Sequence, residues 1–129
     1  MRRSFLLLLF CSVCFATGIS YAEWYDLRDD QHYVADFSLN PGETKDLSIE
    51  SEEELWVGFY TDISVEQSEK YKNSDYPIKI SNEERGSISS TFGGATIFKP
   101  VDGKIDIAVS NNSKDDTIQV VIYTQVVEE

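Results

Sequence analysis

From residue 33 onward, apolar and polar positions alternate with a period of two, interrupted by short groups of Gly, Pro, Asn and Asp, which is how half-buried strands separated by turns read. Tyr33, Ala35, Phe37 and Leu39 fall on one face, with Asp36 and Ser38 on the other. Asn40-Pro41-Gly42-Glu43 supplies a turn, because proline presets φ and glycine accepts φ > 0. Leu47 and Ile49 continue the alternation up to the polar break at residues 50–54. Leu55-Trp56-Val57-Gly58-Phe59-Tyr60 is apolar on both faces and predicts a central strand, with Leu55, Val57 and Phe59 on one side and Trp56 and Tyr60 on the other. Residues 62–76 lose periodicity and gain charge, predicting a long loop with a helical turn around residues 65–71.

The second half of the chain resumes the pattern. Ile78 and Ile80 mark a strand, and Ile88 and Phe92 lie on a weak, serine-rich one. Gly93-Gly94 breaks it before Ile97 and Phe98, which contact either face. Pro100-Val101-Asp102-Gly103 signals a hairpin. Ile105, Ile107 and Val109 then alternate with Asp106 and Ala108, and residues 118–126 form the last strand. Seven or eight short strands predict an all-β fold, an antiparallel β-sandwich of jelly-roll or immunoglobulin-like kind.

The first 22 residues do not share this pattern. Arg2 and Arg3 precede an apolar run over residues 5–16, and Ser20-Tyr21-Ala22 offers small residues at the positions a signal peptidase reads. The run of 12 residues is shorter than the roughly 20 that span a bilayer core. The expectation is a cleavable signal peptide over residues 1–22, a single domain over 23–129, and a periplasmic or secreted location with no membrane insertion of the mature chain. Cleavage after Ala22 leaves 107 of the 129 residues and removes both cysteines, Cys11 and Cys14. The mature domain must therefore hold together without disulfides, and thiol catalysis and cysteine-ligated metals are excluded. Loss of two arginines also takes the formal net charge from −12 to −14. Such a field repels nucleic-acid phosphates and speeds encounter with a basic protein.

Two stretches support a resemblance. His32-Tyr33, Phe37 and Pro41-Gly42-Glu43 come early; Phe98, Pro100, Gly103, Ile105, Ile107, Val109 and a closing strand come late. In this order and spacing the chain resembles the bacterial pre-peptidase C-terminal domain over most of its mature length. The resemblance implies a secreted, non-catalytic jelly-roll that assists folding, export or substrate attachment of proteases.

Candidate chemistry is sparse. His32 is the single histidine and stands near Asp29 and Asp30, but no Gly-x-Ser-x-Gly sequence presents a nucleophile beside it. No catalytic residue is expected. Asp26, Asp29 and Asp30 are close enough in sequence to supply oxygen ligands to calcium, against the plain reading of a solvated acidic loop. Trp56, Tyr60, Tyr71 and Tyr76 are the candidate binding residues, since aromatic side chains anchor both sugars and proteins. The function expected is an exported non-catalytic module for a protein or carbohydrate ligand. The alternative is an acidic inhibitor or immunity protein against a cationic enzyme, with Glu50, Glu52, Glu53 and Glu54 as its contact patch. Asn111-Asn112-Ser113 is a glycosylation sequon, meaningful only in a eukaryotic host; in a bacterium it is simply a turn.

Overall fold

The computed structural model describes residues 24–72, 76–82 and 86–128; the export signal read over residues 1–22 lies outside them. Eight strands follow in order: β1 (His32–Leu39), β2 (Thr44–Glu50), β3 (Leu55–Thr61), β4 (Ile78–Asn82), β5 (Gly86–Ser90), β6 (Gly93–Phe98), β7 (Lys104–Asn111) and β8 (Ile118–Val126). They form two antiparallel four-stranded sheets, ordered β1-β8-β3-β6 and β2-β7-β4-β5. Each chain crossing from one sheet to the other builds a pair of interlocked Greek keys, so of the two sandwiches expected the observed one is the jelly-roll. The strand apolar on both faces, β3, does lie inside its sheet, between β8 and β6.

Turn chemistry sets the joints. Gly42 takes φ 81° after Pro41, as the third residue of a type II turn must, and Glu43 N–H donates to Asn40 C=O at 2.9 Å. Asp102 and Gly103 have φ of 55° and 77°, the pair of positive values that a type I′ hairpin turn requires. The 62–76 loop contains the expected helical turn, a 3-10 segment at Gln67–Tyr71. Among the described residues no helix is long and apolar enough to cross a membrane.

The interior forms where the inward rows of the sheets meet. Val57, Phe59, Phe98, Leu39, Val120 and Ile122 come from the first sheet, and Ile78, Ile80, Ile105, Ile107 and Val109 from the second. Each such side chain contributes about 1.5–3 kcal/mol by leaving water. Ile63 and Tyr71, carried by the β3–β4 connection, join the same cluster.

β1 departs from strict alternation. Its register against β8 shifts between Tyr33 and Ala35, so one residue is bulged out of the ladder. Val34 then packs on the core, while Tyr33 pairs with Tyr123 on the outside and is 55 % exposed. Tyr33 therefore does not share the inward face of Phe37 and Leu39; Val34 takes its place.

Gly58 on β3 is required by close approach. A Cβ there lies 2.5 Å from the Tyr123 ring and 2.9 Å from the Ala95 methyl. Tyr123 lies across this notch and stacks on Tyr60, ring centroids 5.1 Å apart. Gly58→Ala is expected to cost about 1–3 kcal/mol in urea denaturation, because the added methyl overpacks a fixed site. The loss should shrink in a Tyr123→Leu background, and equal losses in both backgrounds would contradict the assignment to this contact.

Candidate functional site

The two sheets use their outer faces differently. On the first sheet, residues 24–31 fold back across the strands. Tyr25 stacks with Tyr33 at 6.4 Å and meets Trp24 edge-on at 5.1 Å. Gln31 is buried and its Nε2 donates to Tyr60 Oη at 2.9 Å. Asp30 accepts hydrogen bonds from Arg28 Nε at 3.2 Å and Gln125 Nε2 at 3.1 Å. Beneath this strap Val121 and Tyr123 are buried, although they point away from the main core.

These contacts place the candidate residues read from the sequence. Trp56 and Tyr60 point to the outer side of the first sheet, half-buried, with Tyr60 engaged by Gln31 and Tyr123. Tyr71 is buried in the core cluster at one end of the sandwich, and Tyr76 is exposed just ahead of β4 in the other sheet. The four aromatics therefore occupy three separate places and do not line one surface. Asp26 and Asp29 are exposed, whereas Asp30 is tied to Arg28 and Gln125. Among the described residues no three His, Cys, Asp or Glu side chains converge as a metal-binding group. His32 is exposed at the start of β1, opposite Thr124.

On the second sheet no strap crosses the outer face among the described residues. Its side chains are Thr44, Asp46 and Ser48 on β2, Asp106, Ala108 and Ser110 on β7, and Lys79 and Ser81 on β4, placed side by side by the pairings Asp46↔Ala108, Ser48↔Asp106 and Ser81↔Ala108. A trough of about 660 Å³ runs over this face. Ala108, Ser48 and Ser81 make a floor of small residues, Asp46 and Asp106 stand on adjacent strands, and Lys99, Val101 and Lys104 from the β6–β7 hairpin form one wall. Asn82 Nδ2 donates to the Asp106 carbonyl at the far side. The trough therefore offers carboxylates, hydroxyls, an amide and ammonium groups within one shallow depression, with two acidic and two basic side chains in balance. The alternation of Asp46, Ser48, Asp106 and Ala108 with apolar neighbours marks them as solvent-facing in the sequence. That β2, β7 and β4 lie next to each other does not show there.

One end of the sandwich is closed by polar contacts. Asn111 has no exposed surface. Its Nδ2 donates to Leu39 C=O at 2.9 Å and Asp116 C=O at 2.8 Å, and its Oδ1 accepts Ser113 N–H at 2.9 Å. The side chain thus ties β1, the end of β7 and the β7–β8 loop together. The sequon asparagine has no accessible amide, and a glycan on Nδ2 would displace bonds the fold uses; in the folded protein Asn111 is a structural residue. Beside it Tyr71 Oη donates to the Asp116 carboxylate, which Lys70 Nζ approaches at 3.0 Å. Burial, then the hydrogen bond to Asp116, pushes the Tyr71 phenol up to about 12. The Tyr71 and Lys70 hydrogen bonds hold the Asp116 carboxyl below its ordinary range. Burial, then the neighbouring Tyr60, raises Tyr123 as well.

The chain matches no protein-family model and no curated protein. Among solved structures it is similar to a de novo designed double-stranded beta-helix determined by solution NMR, at 14 % identity and a TM-score of 0.45, with 70 % of this chain and 96 % of that one covered.

Asn111→Asp is expected to destabilise the domain by about 2–4 kcal/mol, since two buried carbonyls lose their donor and face an acceptor. Asn112→Asp, at the exposed neighbour, should leave the urea midpoint nearly unchanged; parity between the two would refute the buried-amide account. In an ultraviolet titration Tyr71 and Tyr123 should both ionise only near pH 12, and Tyr71→Phe should remove one of the two phenols from that late step. The folded phenol holds its proton more tightly than the unfolded one, so its stabilising contribution is complete below about pH 10 and is lost as pH rises through about 12. Asp116 acts in the opposite direction: its contribution is present above the ordinary carboxylate pKa and is lost as pH falls below it.

Proposed function

We propose that the mature chain is an exported, non-catalytic binding module, and that it takes an extended, hydroxyl-rich ligand such as an oligosaccharide in the trough on the second sheet. The observation that carries this reading is the trough itself: a concave, open volume of about 660 Å³ in a face floored by Ala108, Ser48 and Ser81. Small residues let a chain of rings lie close to the strands. Paired carboxylates at Asp46 and Asp106 accept two hydroxyl protons each, and Asn82, Lys99 and Lys104 supply donors to ring and hydroxyl oxygens. Its volume falls in the usual range for small-ligand sites. Balanced charge separates this face from the acidic character of the chain as a whole.

Calorimetry against a panel of neutral oligosaccharides tests this. A binder should emerge whose affinity falls about tenfold or more, some 1.4 kcal/mol, in both Asp46→Ala and Asp106→Ala, with the circular dichroism spectrum unchanged. Failure of every member of the panel to bind, or binding that ignores both substitutions, would refute the proposal.

A second reading has its own support. Glu50, Glu52 and Glu53 are exposed around the β2–β3 turn, and among the described residues none of them forms an ion pair. This acidic turn suits a cationic exported enzyme. Its mark is association with a basic lysozyme that weakens steeply between about 0.01 and 0.15 M salt, as the screening length falls from roughly 30 to 8 Å. Oligosaccharide binding in the trough would show little such dependence.

A further inference from the structure

Each sheet of an open sandwich leaves two edge strands, and unprotected edges are templates for pairing with another chain. Here the edges are β1 and β6 in the first sheet and β2 and β5 in the second. β1 carries the bulge after Tyr33. β2 carries Lys45, Asp46 and Glu50, and β5 is only five residues long. β6, Gly-Gly-Ala-Thr-Ile-Phe, has no charge and no proline, and its register with β3 runs without a shift. The charge-free stretch is longer than the strand: residues 86–98 contain no acidic or basic side chain in a protein of formal charge −12.

The backbone groups at this edge are specific. Ser90 Oγ donates to Gly93 C=O at 2.9 Å and accepts Gly93 N–H at 3.3 Å, so Gly93 points away from β3 and is capped within the chain. By strand alternation Ala95 and Ile97 point the same way. Among the described residues neither has a backbone hydrogen-bond partner on that side. Ile97 is also 37 % exposed on the outer face.

We propose that β6 is a strand-addition edge for a second copy of the chain, paired antiparallel about a two-fold axis through Thr96. In that register Ala95 faces Ile97 of the copy and Ile97 faces its Ala95, so the uncapped N–H and C=O groups of both residues satisfy each other and the Ser90 caps stay in place. Small faces large on the outer side at both positions. The occupant is a second copy, and not an unrelated strand, for two reasons. The unpaired groups complement themselves under a two-fold, and the charge-free window is where two strongly acidic molecules approach with least repulsion. The pairing consumes both edges, so it closes at a dimer. Its small contact makes the dimer weak and concentration-dependent. It uses neither the trough nor the acidic turn, and stands or falls apart from the functional reading.

Sedimentation equilibrium on the protein recovered after export tests the inference. The expected result is a reversible rise towards twice the monomer mass as concentration approaches about 0.5 mM, abolished by Ile97→Lys with its circular dichroism spectrum intact. A protein that stays monomeric throughout, or a dimer that survives Ile97→Lys, overturns it. Should Ile97→Lys fail to fold, Thr96→Cys decides: the two sulfurs meet at a non-hydrogen-bonded pair, where Cα atoms about 4.5 Å apart fit a disulfide. Air oxidation should then yield a covalent dimer, while Ser89→Cys on β5 should not. Equal cross-linking of the two variants, or none at Thr96→Cys, rejects the register.

Discussion

The constraint on which everything else rests is contact between two apolar layers with no covalent help. Cys11 and Cys14 are the only cysteines, both ahead of the domain, so the inward rows of the sheets must meet closely enough to hold it by packing alone. Phe59 and Phe98 from one sheet and the isoleucines of β4 and β7 from the other meet this demand. A layered core is open at its ends, and here one end is finished by Tyr71 and by the carboxamide of Asn111. A buried polar group without partners would be a liability; this one binds two carbonyls and an amide from different segments and so sets the relation of β1 to β7 and of both to the loop that follows.

Because the inward rows are committed to packing, the outward rows were left to diverge. The first sheet carries Trp56, Tyr60, Val121 and Tyr123 outward and hides much of that surface beneath residues 24–31, which amounts to a thin second core. The outward row of the second sheet is serine, threonine, alanine, aspartate, glutamate and lysine, and its charged members are exposed. This polar, shallow face is the one to which the proposed function assigns a hydrophilic ligand. The aromatic residues, usually the first to be suspected of binding, are mostly spent on structure.

Much of the fold was legible because period-two alternation and turn chemistry are local. The type II turn at Gly42, the hairpin at Asp102-Gly103, the central position of β3 and the outward direction of Trp56 and Tyr60 all follow from a few neighbouring residues. Misreadings arose where distant groups decide. Tyr33 fits an inward row until the ladder with β8 slips by one residue, and nothing in its own neighbourhood signals the slip. Asn111 reads as a surface turn, because its partners Leu39 and Asp116 are brought together by tertiary structure. The trough was invisible for the same reason: each of its strands announces a polar face, but only the strand order sets Asp46 beside Ala108 and Ser81. The strap was missed because it has no periodicity, being held by Gln31, Arg28 and stacked rings.

The chain's two tryptophans both belong to the strapped side: Trp56 faces outward on β3 and Trp24 sits in the strap itself. The interior, built from phenylalanine and aliphatic side chains with Tyr71 at its end, holds no indole. Intrinsic emission excited near the red edge of absorption will therefore report the docking of residues 24–31 and be nearly blind to the meeting of the two layers. A fluorescence transition that precedes the backbone dichroism transition on denaturation would mark peeling of the strap from an intact sandwich, and the two optical signals together separate local from global unfolding in an unlabelled protein.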